Sequence, residues 1–347
     1  MTSKFAQTLT KTWQAEKTAI GRFQKRTSKE PSAYTKDYGF PTDFKEFNKM
    51  IGYPINRNTN KSSPMTPYQI EYHNAIQKHH KVIVDKSRKI GITEAAIRSI
   101  GLNIFHRYAG HDIMIIAGNE LKIANEILLR LYELFKDKPD LGYAFKHNGI
   151  KWKEFDLIRR VSINGQHPII EFRNGTRVFC FAASRSGKSQ SFRGPDDIIA
   201  ILFSEAAHTG MLEDQPIMNA LEPNLANRDS ADIILESTPN GRRGFFFQYW
   251  MDIEEKKLTG WKRLKFDYKK GLKHKVLSEK YLTDQKSNLR VDFAQEYECK
   301  FTSSVTAIFR EEDINILPEW EHKSIDLLKS IGEKDTTMPE RDTELEE

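Results

Sequence analysis

The stretch Lys86-Ser87-Arg88-Lys89-Ile90-Gly91-Ile92-Thr93 decides the fold class, because it joins a short apolar strand to a helix and nearly matches a phosphate-binding loop. Such loops read G-x-x-x-x-G-K-[ST]: their backbone amides surround phosphates, their lysine reaches the outer oxygens and their hydroxyl holds magnesium. Gly91 and Thr93 match this pattern, whereas Ile92 replaces the lysine and Lys86 replaces the first glycine. The sequence therefore predicts an anion-binding turn at a helix N-terminus, with the identity of its cation open.

A second segment, Gly187-Lys188-Ser189, offers a rival lysine for the phosphates. Ala182 stands where the first glycine of a phosphate loop belongs, and Arg193-Gly194-Pro195 interrupts the helix that would have to follow. The first stretch is therefore the better candidate, although Gly91-Ile92-Thr93 alone would also fit an ordinary strand-to-helix turn.

Short apolar runs alternate with helical periodicity from about residue 65 onward, which predicts an α/β fold with a mostly parallel sheet flanked by helices. The predicted strands are Lys81–Val84, Ile113–Ala117, Thr176–Ala182, Ile198–Phe203, Asp232–Glu236 and Trp261–Phe266. The predicted helices are Thr93–Tyr108 and Glu120–Phe135, each with one apolar face. Turn signals at Asn164-Gly165 and Asn174-Gly175 predict a hairpin or meander over Val161–Phe181.

The chain has 347 residues, 38% of them hydrophobic, which is enough to bury one large domain or two modest ones. Seven acidic and two basic residues lie in 332–347, so the remainder carries a net charge of +11, against +6 for the whole chain. This charge distribution favours a polyanionic partner and a disordered acidic end; basic residues that only solvate the surface are the alternative. We expect a polar, weakly structured arm with short helices over 1–64, the α/β domain over 65–310 and a C-terminal extension over 311–347.

No apolar run reaches the roughly 18 residues of a membrane span, and the polar N-terminus lacks the apolar run of a signal peptide. We therefore expect a protein of the cytoplasm. Cys180 and Cys299 are too few for a disulfide framework and lack the spacing of a zinc site, so we expect two buried thiols.

Polar pairs end two of the predicted strands. Ser204 and Glu205 follow an apolar run at the positions where NTPases place an aspartate for magnesium and a glutamate that orients the attacking water. Ser237 and Thr238 end a later strand in small hydroxyls, and Pro67-Tyr68-Gln69 precedes the first strand. Each of these signals is weak alone, so their order along the chain matters.

Taken in order, these motifs resemble those of the ATPase domain of a large terminase subunit, the motor that packages viral DNA into procapsids. The resemblance covers roughly residues 65 to 310 and implies a P-loop NTPase fold of the ASCE, RecA-like type. It rests on Pro67-Tyr68-Gln69, Ser87-Arg88-Lys89-Ile90-Gly91-Ile92-Thr93, Arg193-Gly194, Phe203-Ser204-Glu205-Ala206-Ala207-His208, Ser237-Thr238-Pro239-Asn240-Gly241 and Phe293-Ala294-Gln295-Glu296-Tyr297-Glu298-Cys299-Lys300-Phe301.

The resemblance implies that the chain binds ATP and Mg²⁺ and assigns roles to residues. Some terminases carry the loop lysine at its start, so Lys86 would contact phosphate, Arg88 would act as an arginine finger in cis, and Glu205 would orient the attacking water. Thr93 and Ser204 would hold the metal, although Ser204 lacks the aspartate charge, worth roughly 4 kcal/mol at about 4 Å and an effective dielectric of about 20. The other nucleotide-binding residues would be Tyr68, Gln69, Ser87, Arg88, Lys89, Gly91 and Ile92, and the coupling pair would be Ser237 and Thr238.

The resemblance also implies partners: double-stranded DNA, a portal protein, a small terminase subunit, and further copies of the chain in a ring, in the cytoplasm of an infected host cell and without a membrane. Large terminases normally continue into a nuclease domain whose carboxylates bind two metals. Only 46 residues follow Phe301, so we expect no nuclease activity in this chain and a nuclease that is separate, truncated or lost.

Two other functional classes stay open at this stage. An inactive or weakened ATPase-fold protein that assembles the packaging complex would explain Ile92 and Ser204. A helicase-like strand separator shares the glutamine motif and the strand-end glutamate, but it needs a second RecA-like domain for which the chain leaves no room.

Overall fold

The computed structural model describes residues 41–118, 121–136, 157–163, 168–183, 197–209, 218 and 230–302. The strands are β1 (Ile55–Asn56), β2 (Lys61–Ser62), β3 (Lys81–Lys86), β4 (Asp112–Ala117), β5 (Ile158–Ser162), β6 (Ile169–Phe172), β7 (Arg177–Ala182), β8 (Ile198–Ser204), β9 (Asp232–Ser237) and β10 (Trp261–Phe266). The helices are α1 (Phe44–Ile51), α2 (Pro67–Lys78), α3 (Ile92–Ile104), α4 (Leu121–Phe135), α5 (Gly244–Glu254), α6 (Tyr268–Lys273), α7 (Glu279–Ser287) and α8 (Phe293–Glu296), with a 3₁₀ turn at Ala206–His208.

One eight-stranded sheet organises the domain, in the order β10-β3-β9-β8-β4-β7-β6-β5. The six strands from β10 to β7 are parallel, and β6 and β5 add an antiparallel meander at one edge. The short pair β1 and β2 forms a separate hairpin. The predicted fold class, a mostly parallel sheet flanked by helices, is confirmed.

Both faces of the sheet are covered, which explains why its central strands read as unbroken apolar runs. On one face, side chains of β3, β8, β9 and β10 pack with α1 to α4, as Val84, Leu202 and Leu128 illustrate. On the opposite face, Ile83 and Phe203 pack against Phe246 of α5. Because alternate residues of a strand face opposite sides, each charged residue at a strand end is assigned to one of these two layers.

The described part of the predicted N-terminal arm is more ordered than its composition indicates. Asp43 caps α1 by accepting from the amides of Lys45 and Glu46 at 2.9 and 3.0 Å. Phe47 is fully buried within the main core. Residues 44–51 therefore form a short helix of the kind expected in the arm, but its apolar spacing lets it pack on α3 as part of the main core.

Helix α3 begins one residue earlier than predicted and ends at Ile104 instead of Tyr108. The chain turns after Ile104 because the hydroxyl of Thr176 holds the turn: it accepts from the Gly110 amide at 2.9 Å and lies 3.2 Å from the Tyr108 carbonyl oxygen. Thr176, predicted as the start of a strand, thus fixes a turn instead.

The meander predicted over Val161–Phe181 is present as β5, β6 and β7, and Asn174-Gly175 lies at the turn between β6 and β7. Asn164-Gly165, Lys188, Arg193-Gly194, the acidic end and residues 1–40 lie outside the described residues. Within the described ranges, no helix has the length and apolar character needed to cross a membrane.

Candidate active site

Three neighbouring strands, β3, β9 and β8, end side by side and bring together the polar residues of three sequence motifs. Val84 of β3 and Ser204 of β8 both lie in register with Glu236 of β9. Lys86 follows Val84 by two residues, so strand alternation places Lys86, Glu236 and Ser204 on the same face. The sheet order therefore brings the start of the predicted loop next to the end of β8.

Lys86 and Glu205 form an ion pair at this edge, with Nζ 2.8 Å from Oε1. Lys86 is only 6% exposed, whereas the Glu205 side chain retains 31% exposure. Burial lowers the pKa of Lys86, but Glu205 and Glu236 outweigh burial and raise the pKa above its ordinary value. Burial raises the pKa of Glu205, but Lys86 outweighs it and the net pKa is lowered. Both side chains are therefore charged at neutral pH.

Glu205 has left-handed backbone geometry, with φ 54° and ψ 42°, directly after β8. Non-glycine residues seldom adopt this conformation, which is frequent at functional sites. The turn aims the carboxylate across the strand ends toward Lys86. The sequence did not predict this geometry, and the water-orienting role of Glu205 stays a prediction.

Ser204 and Glu236 form a second, deeper contact that the sequence analysis missed. The Ser204 hydroxyl donates to Glu236 Oε1 at 3.0 Å, and the Tyr72 hydroxyl donates to Oε2 at 3.2 Å. Glu236 is fully buried. A carboxylate within the otherwise apolar run of β9 was the available signal, because an unpaired buried charge is costly and rarely tolerated.

The loop reaches α3 through Gly91, whose φ of 77° is left-handed. A Cβ at this position would lie 2.6 Å from the Gln69 side-chain nitrogen. The first helical hydrogen bond runs from the Ala95 amide to the Gly91 carbonyl, so the preceding amides at the helix start have no partner within the helix. This is the geometry of an anion-binding N-terminus.

Ile92 does not present a side chain to this site. It is 1% exposed and belongs to the main core. Contact of Ile92 with a nucleotide therefore stays a prediction for its backbone amide, since its side chain is buried in the core. Thr93, the next residue, is partly exposed at the helix start.

Tyr68 and Gln69 hold the loop in place through hydrogen bonds to its backbone. The Tyr68 hydroxyl donates to the Ile90 carbonyl at 2.7 Å, and the Gln69 side-chain amide donates to the Gly91 carbonyl at 2.9 Å. Gln69 Oε1 also accepts from the Thr66 amide at 2.8 Å. The arrangement gives both residues a positioning role that the sequence did not predict; contact with a nucleotide stays a prediction for them.

The first half of the loop is tied to the C-terminal part of the domain. The Ser87 amide donates to the Phe266 carbonyl at 2.8 Å and the Arg88 amide donates to the Glu296 carbonyl at 3.0 Å. These two amides are therefore committed within the protein, and contact of Ser87 and Arg88 with a nucleotide stays a prediction for their side chains. Phosphate contacts are left to the second half of the loop and to side chains.

The two exposed cations of the loop contact neighbouring elements. The Arg88 side chain is 60% exposed, with Nε 3.4 Å from Glu296 Oε2. Lys89 has a left-handed φ of 59°, and its ammonium lies 4.8 Å from the centre of the Tyr281 ring. Arg88 is one of the charges that act on Glu205, so it lies in the electrostatic neighbourhood of the site.

Ser237 and Thr238, the predicted coupling pair, contact the turn that follows Glu205. Ser237 Oγ accepts from the Ala207 amide at 3.1 Å, and Thr238 Oγ1 lies 2.8 Å from His208 Nε2. Asn240 adds a third link by donating to the Ala207 carbonyl at 3.0 Å. The ends of β8 and β9 are thus joined through backbone and side chains, and the roles of His208 and Asn240 were missed by the sequence analysis.

The oxygen atoms of Thr93, Ser204 and Glu205 are the donor type that Mg²⁺ prefers. Ser204 has committed its hydrogen to Glu236, which leaves the lone pairs of its oxygen as acceptors. Among the described residues, no group of three or more His, Cys, Asp or Glu side chains could hold a metal alone. Mg²⁺ that arrives with a nucleotide needs few protein ligands, so this donor set fits it.

The fold of this chain is similar to that of large terminase ATPase domains, which confirms the resemblance at the level of fold. The ATPase domain of the Thermus phage P74-26 large terminase matches with a TM-score of 0.52 and 18% identity, over 74% of this chain and 97% of that domain. The HK97 bacteriophage large terminase matches with a TM-score of 0.53 and 13% identity, over 73% of this chain and 55% of the other.

A large terminase from a further thermophilic bacteriophage matches with a TM-score of 0.50 and 14% identity, over 68% of this chain and 53% of the other. The chain thus spans nearly all of the P74-26 ATPase domain but about half of the other two terminases. No family model matches the sequence. No curated protein matches it either.

Proposed function

We propose that this chain is the ATPase subunit of a viral DNA-packaging motor of the large terminase type, which couples ATP hydrolysis to the movement of double-stranded DNA into a procapsid. The observation that carries the proposal is the Lys86–Glu205 pair at the carboxyl ends of β3 and β8, the two strands that flank β9, with α3 beginning at the end of the loop that Lys86 starts. It joins a phosphate-binding cation, a water-orienting carboxylate and an anion-binding helix start in one place.

In the proposed mechanism, the triphosphate binds against the amides at the start of α3 and draws the Lys86 ammonium away from Glu205. Glu205 then accepts a hydrogen bond from the attacking water and orients it toward the γ-phosphate. In the ion pair seen here, Glu205 is bound to Lys86. Glu205 would become free to orient water only when phosphate competes for Lys86.

Two further groups would act on the developing charge. Arg88 is held beside the loop by Glu296 and is long enough to turn toward the phosphates, where an arginine finger stabilises the transition state. Thr93 and Ser204 would hold Mg²⁺, which neutralises phosphate charge when bound with ATP.

Coupling to DNA is assigned to Ser237 and Thr238. Their contacts with Ala207 and His208 link the turn after Glu205 to the end of β9. A change at Glu205 on hydrolysis would therefore shift the β9 end, and with it the segment that follows. We propose double-stranded DNA, a portal protein, a small terminase subunit and identical copies in a ring as partners, in the cytoplasm of the infected host cell.

The experiment is phosphate release by the purified chain with ATP and Mg²⁺, with and without linear double-stranded DNA. We expect hydrolysis that Glu205→Gln lowers by about 10² to 10⁴-fold while nucleotide binding survives, because only the orienting group is lost. Lys45→Gln replaces an exposed residue of α1 and serves as the matched control. Hydrolysis equal in wild type and Glu205→Gln would contradict the proposal.

A second function has one observation in its favour. Ser204 is neutral where the metal site would need an acid, which fits a nucleotide-binding assembly protein that does not hydrolyse ATP. Nucleotide binding without any phosphate release above the Glu205→Gln background, with or without DNA, would favour this second function.

A further inference from the structure

The end of β8 lacks an acid, but a buried acid lies directly beside it on β9. Ser204 is 2% exposed, Glu236 is fully buried, and the two residues are partners in the register of the sheet. A carboxylate can only accept hydrogen bonds, so the 3.0 Å contact fixes Ser204 as the donor and orients its oxygen lone pairs away from Glu236.

Glu236 is held in place from its other side as well. Its Oε2 accepts from the Tyr72 hydroxyl at 3.2 Å, and Tyr72 is itself fully buried on α2. The carboxylate therefore has a fixed orientation between a tyrosine and a serine. Lys86, on the neighbouring strand, is the nearby cation that makes a buried negative charge tolerable here.

We propose that Glu236 supplies from β9 the negative charge that Ser204 lacks on β8, so that the hydroxyl oxygen of Ser204, with its hydrogen held by Glu236, takes the place of a carboxylate toward Mg²⁺ bound with the nucleotide. Glu236 is a positioning residue that acts through Ser204. Partners of this kind behind a metal ligand typically account for about 10 to 100-fold in metal affinity. This inference rests on the proposed nucleotide site.

The test measures binding of a non-hydrolysable fluorescent ATP analogue as Mg²⁺ is raised from an EDTA baseline. Glu236→Gln keeps the size and a hydrogen-bond acceptor but removes the charge. We expect the Mg²⁺ concentration for half-maximal tightening to rise about 10 to 100-fold, with the EDTA baseline unchanged. Tyr72→Phe is the matched control, because it alters the same carboxylate without removing its charge and should move this midpoint less than about threefold.

A charge-relocation variant separates this role from a structural one. Ser204→Asp combined with Glu236→Gln returns the acid to β8, and we expect it to bring the Mg²⁺ midpoint back to within about threefold of wild type. Ser204→Ala removes the hydroxyl oxygen and is expected to match Glu236→Gln, which keeps the test decisive if Glu236→Gln does not fold.

An unchanged Mg²⁺ midpoint in Glu236→Gln would overturn the inference, as would a double variant no better than Glu236→Gln. Where Glu236→Gln does not fold, a Ser204→Ala midpoint equal to wild type would overturn it. A wild-type chain that fails to bind the analogue with or without Mg²⁺ would instead overturn the proposed nucleotide site itself. The two failures are therefore distinguishable.

Discussion

Where β3 ends, the two faces of the sheet give a buried charged residue different surroundings. Asp85 and Lys86 are consecutive at the end of β3, so their side chains point to opposite faces. Lys86 points to the face that holds Glu236 and Ser204, and it pairs with Glu205 at 2.8 Å. Asp85 points to the other face, where it is fully buried; within the described residues no N–H or O–H donor reaches its carboxyl oxygens, which leaves the weakly donating Cys299 thiol beside them.

The pKa values follow this difference. Burial raises the pKa of Asp85 to about 7, and Lys265 and the Cys299 thiol offset only part of that cost. At Lys86, burial lowers the pKa, but the neighbouring carboxylates outweigh burial and raise it. Burial alone therefore does not decide whether a side chain stays charged at the end of β3. The charged groups on the face to which the side chain points decide it.

The largest expected effect on stability comes from Asp85→Asn, on the face where nearby groups offset only part of the cost of burial. The folded chain keeps a proton on Asp85 that the unfolded chain releases above the ordinary pKa of 3.8. Protonation of Asp85 contributes fully to the free energy of unfolding below about pH 4. This contribution falls as the pH rises through about 7, by on the order of 4 kcal/mol in total. Asp85→Asn should remove this fall, so its free energy of unfolding relative to wild type should improve between pH 5 and about 8.

Urea unfolding at several pH values measures this effect. Asp284→Asn removes an exposed carboxylate on α7 and controls for the change in net charge. A difference in the free energy of unfolding between Asp85→Asn and wild type that stays constant from pH 4 to about 8 would show that the pKa of Asp85 is not raised in the folded chain.

Lys86→Met tests the other face, on which carboxylates lie near the buried Lys86. The change leaves Glu236 buried without its cation, whereas the 31% exposed Glu205 side chain can turn to water. We expect a loss of about 3 kcal/mol in the free energy of unfolding. Adding Glu236→Gln should recover most of this loss, and adding Glu205→Gln should recover little. Guanidinium unfolding of the single and double variants measures the difference, and equal recovery by the two glutamines would contradict it.

A finer test compares two buried tyrosines of α2. Tyr72 donates to the charged Glu236, whereas Tyr68 donates to the neutral carbonyl of Ile90. Hydrogen bonds to charged groups contribute more, so Tyr72→Phe should cost about 2 kcal/mol of stability and Tyr68→Phe about 1 kcal/mol. Thermal unfolding of the two variants tests the order. A larger loss for Tyr68→Phe would contradict this order.

Much of the fold could be predicted from local pattern, and β10 has the predicted bounds Trp261–Phe266. The parallel sheet follows because buried parallel strands read as apolar runs separated by helices. The packing of residues 44–51 into the main core was not predicted, because Pro and Gly in the surrounding segment mask a helix whose stability comes from packing on α3.

The site was harder to predict because it depends on which strands are neighbours. Lys86 and Glu205 are 119 residues apart, and only the resemblance to a family suggested that they act together. Glu236 was missed because its strand, late in the chain, inserts between β3 and β8. The positioning roles of Tyr68 and Gln69 depend on side-chain geometry around the loop, which periodicity does not contain.

The smallest expected stability effect belongs to Thr238→Val, which removes the hydroxyl that contacts His208 but keeps the shape of the side chain. We expect a loss of about 1 kcal/mol or less in the free energy of unfolding, because one hydrogen bond between partly buried groups is removed. If Thr238 couples the turn after Glu205 to the end of β9, ATP hydrolysis without DNA should stay near wild type while its stimulation by DNA falls. Thr238→Ser, which restores the hydroxyl, should restore the stimulation. Equal stimulation in the valine and serine variants would mean that this contact only supports the fold, and coupling would then have to run through Ser237 and the Ala207 amide.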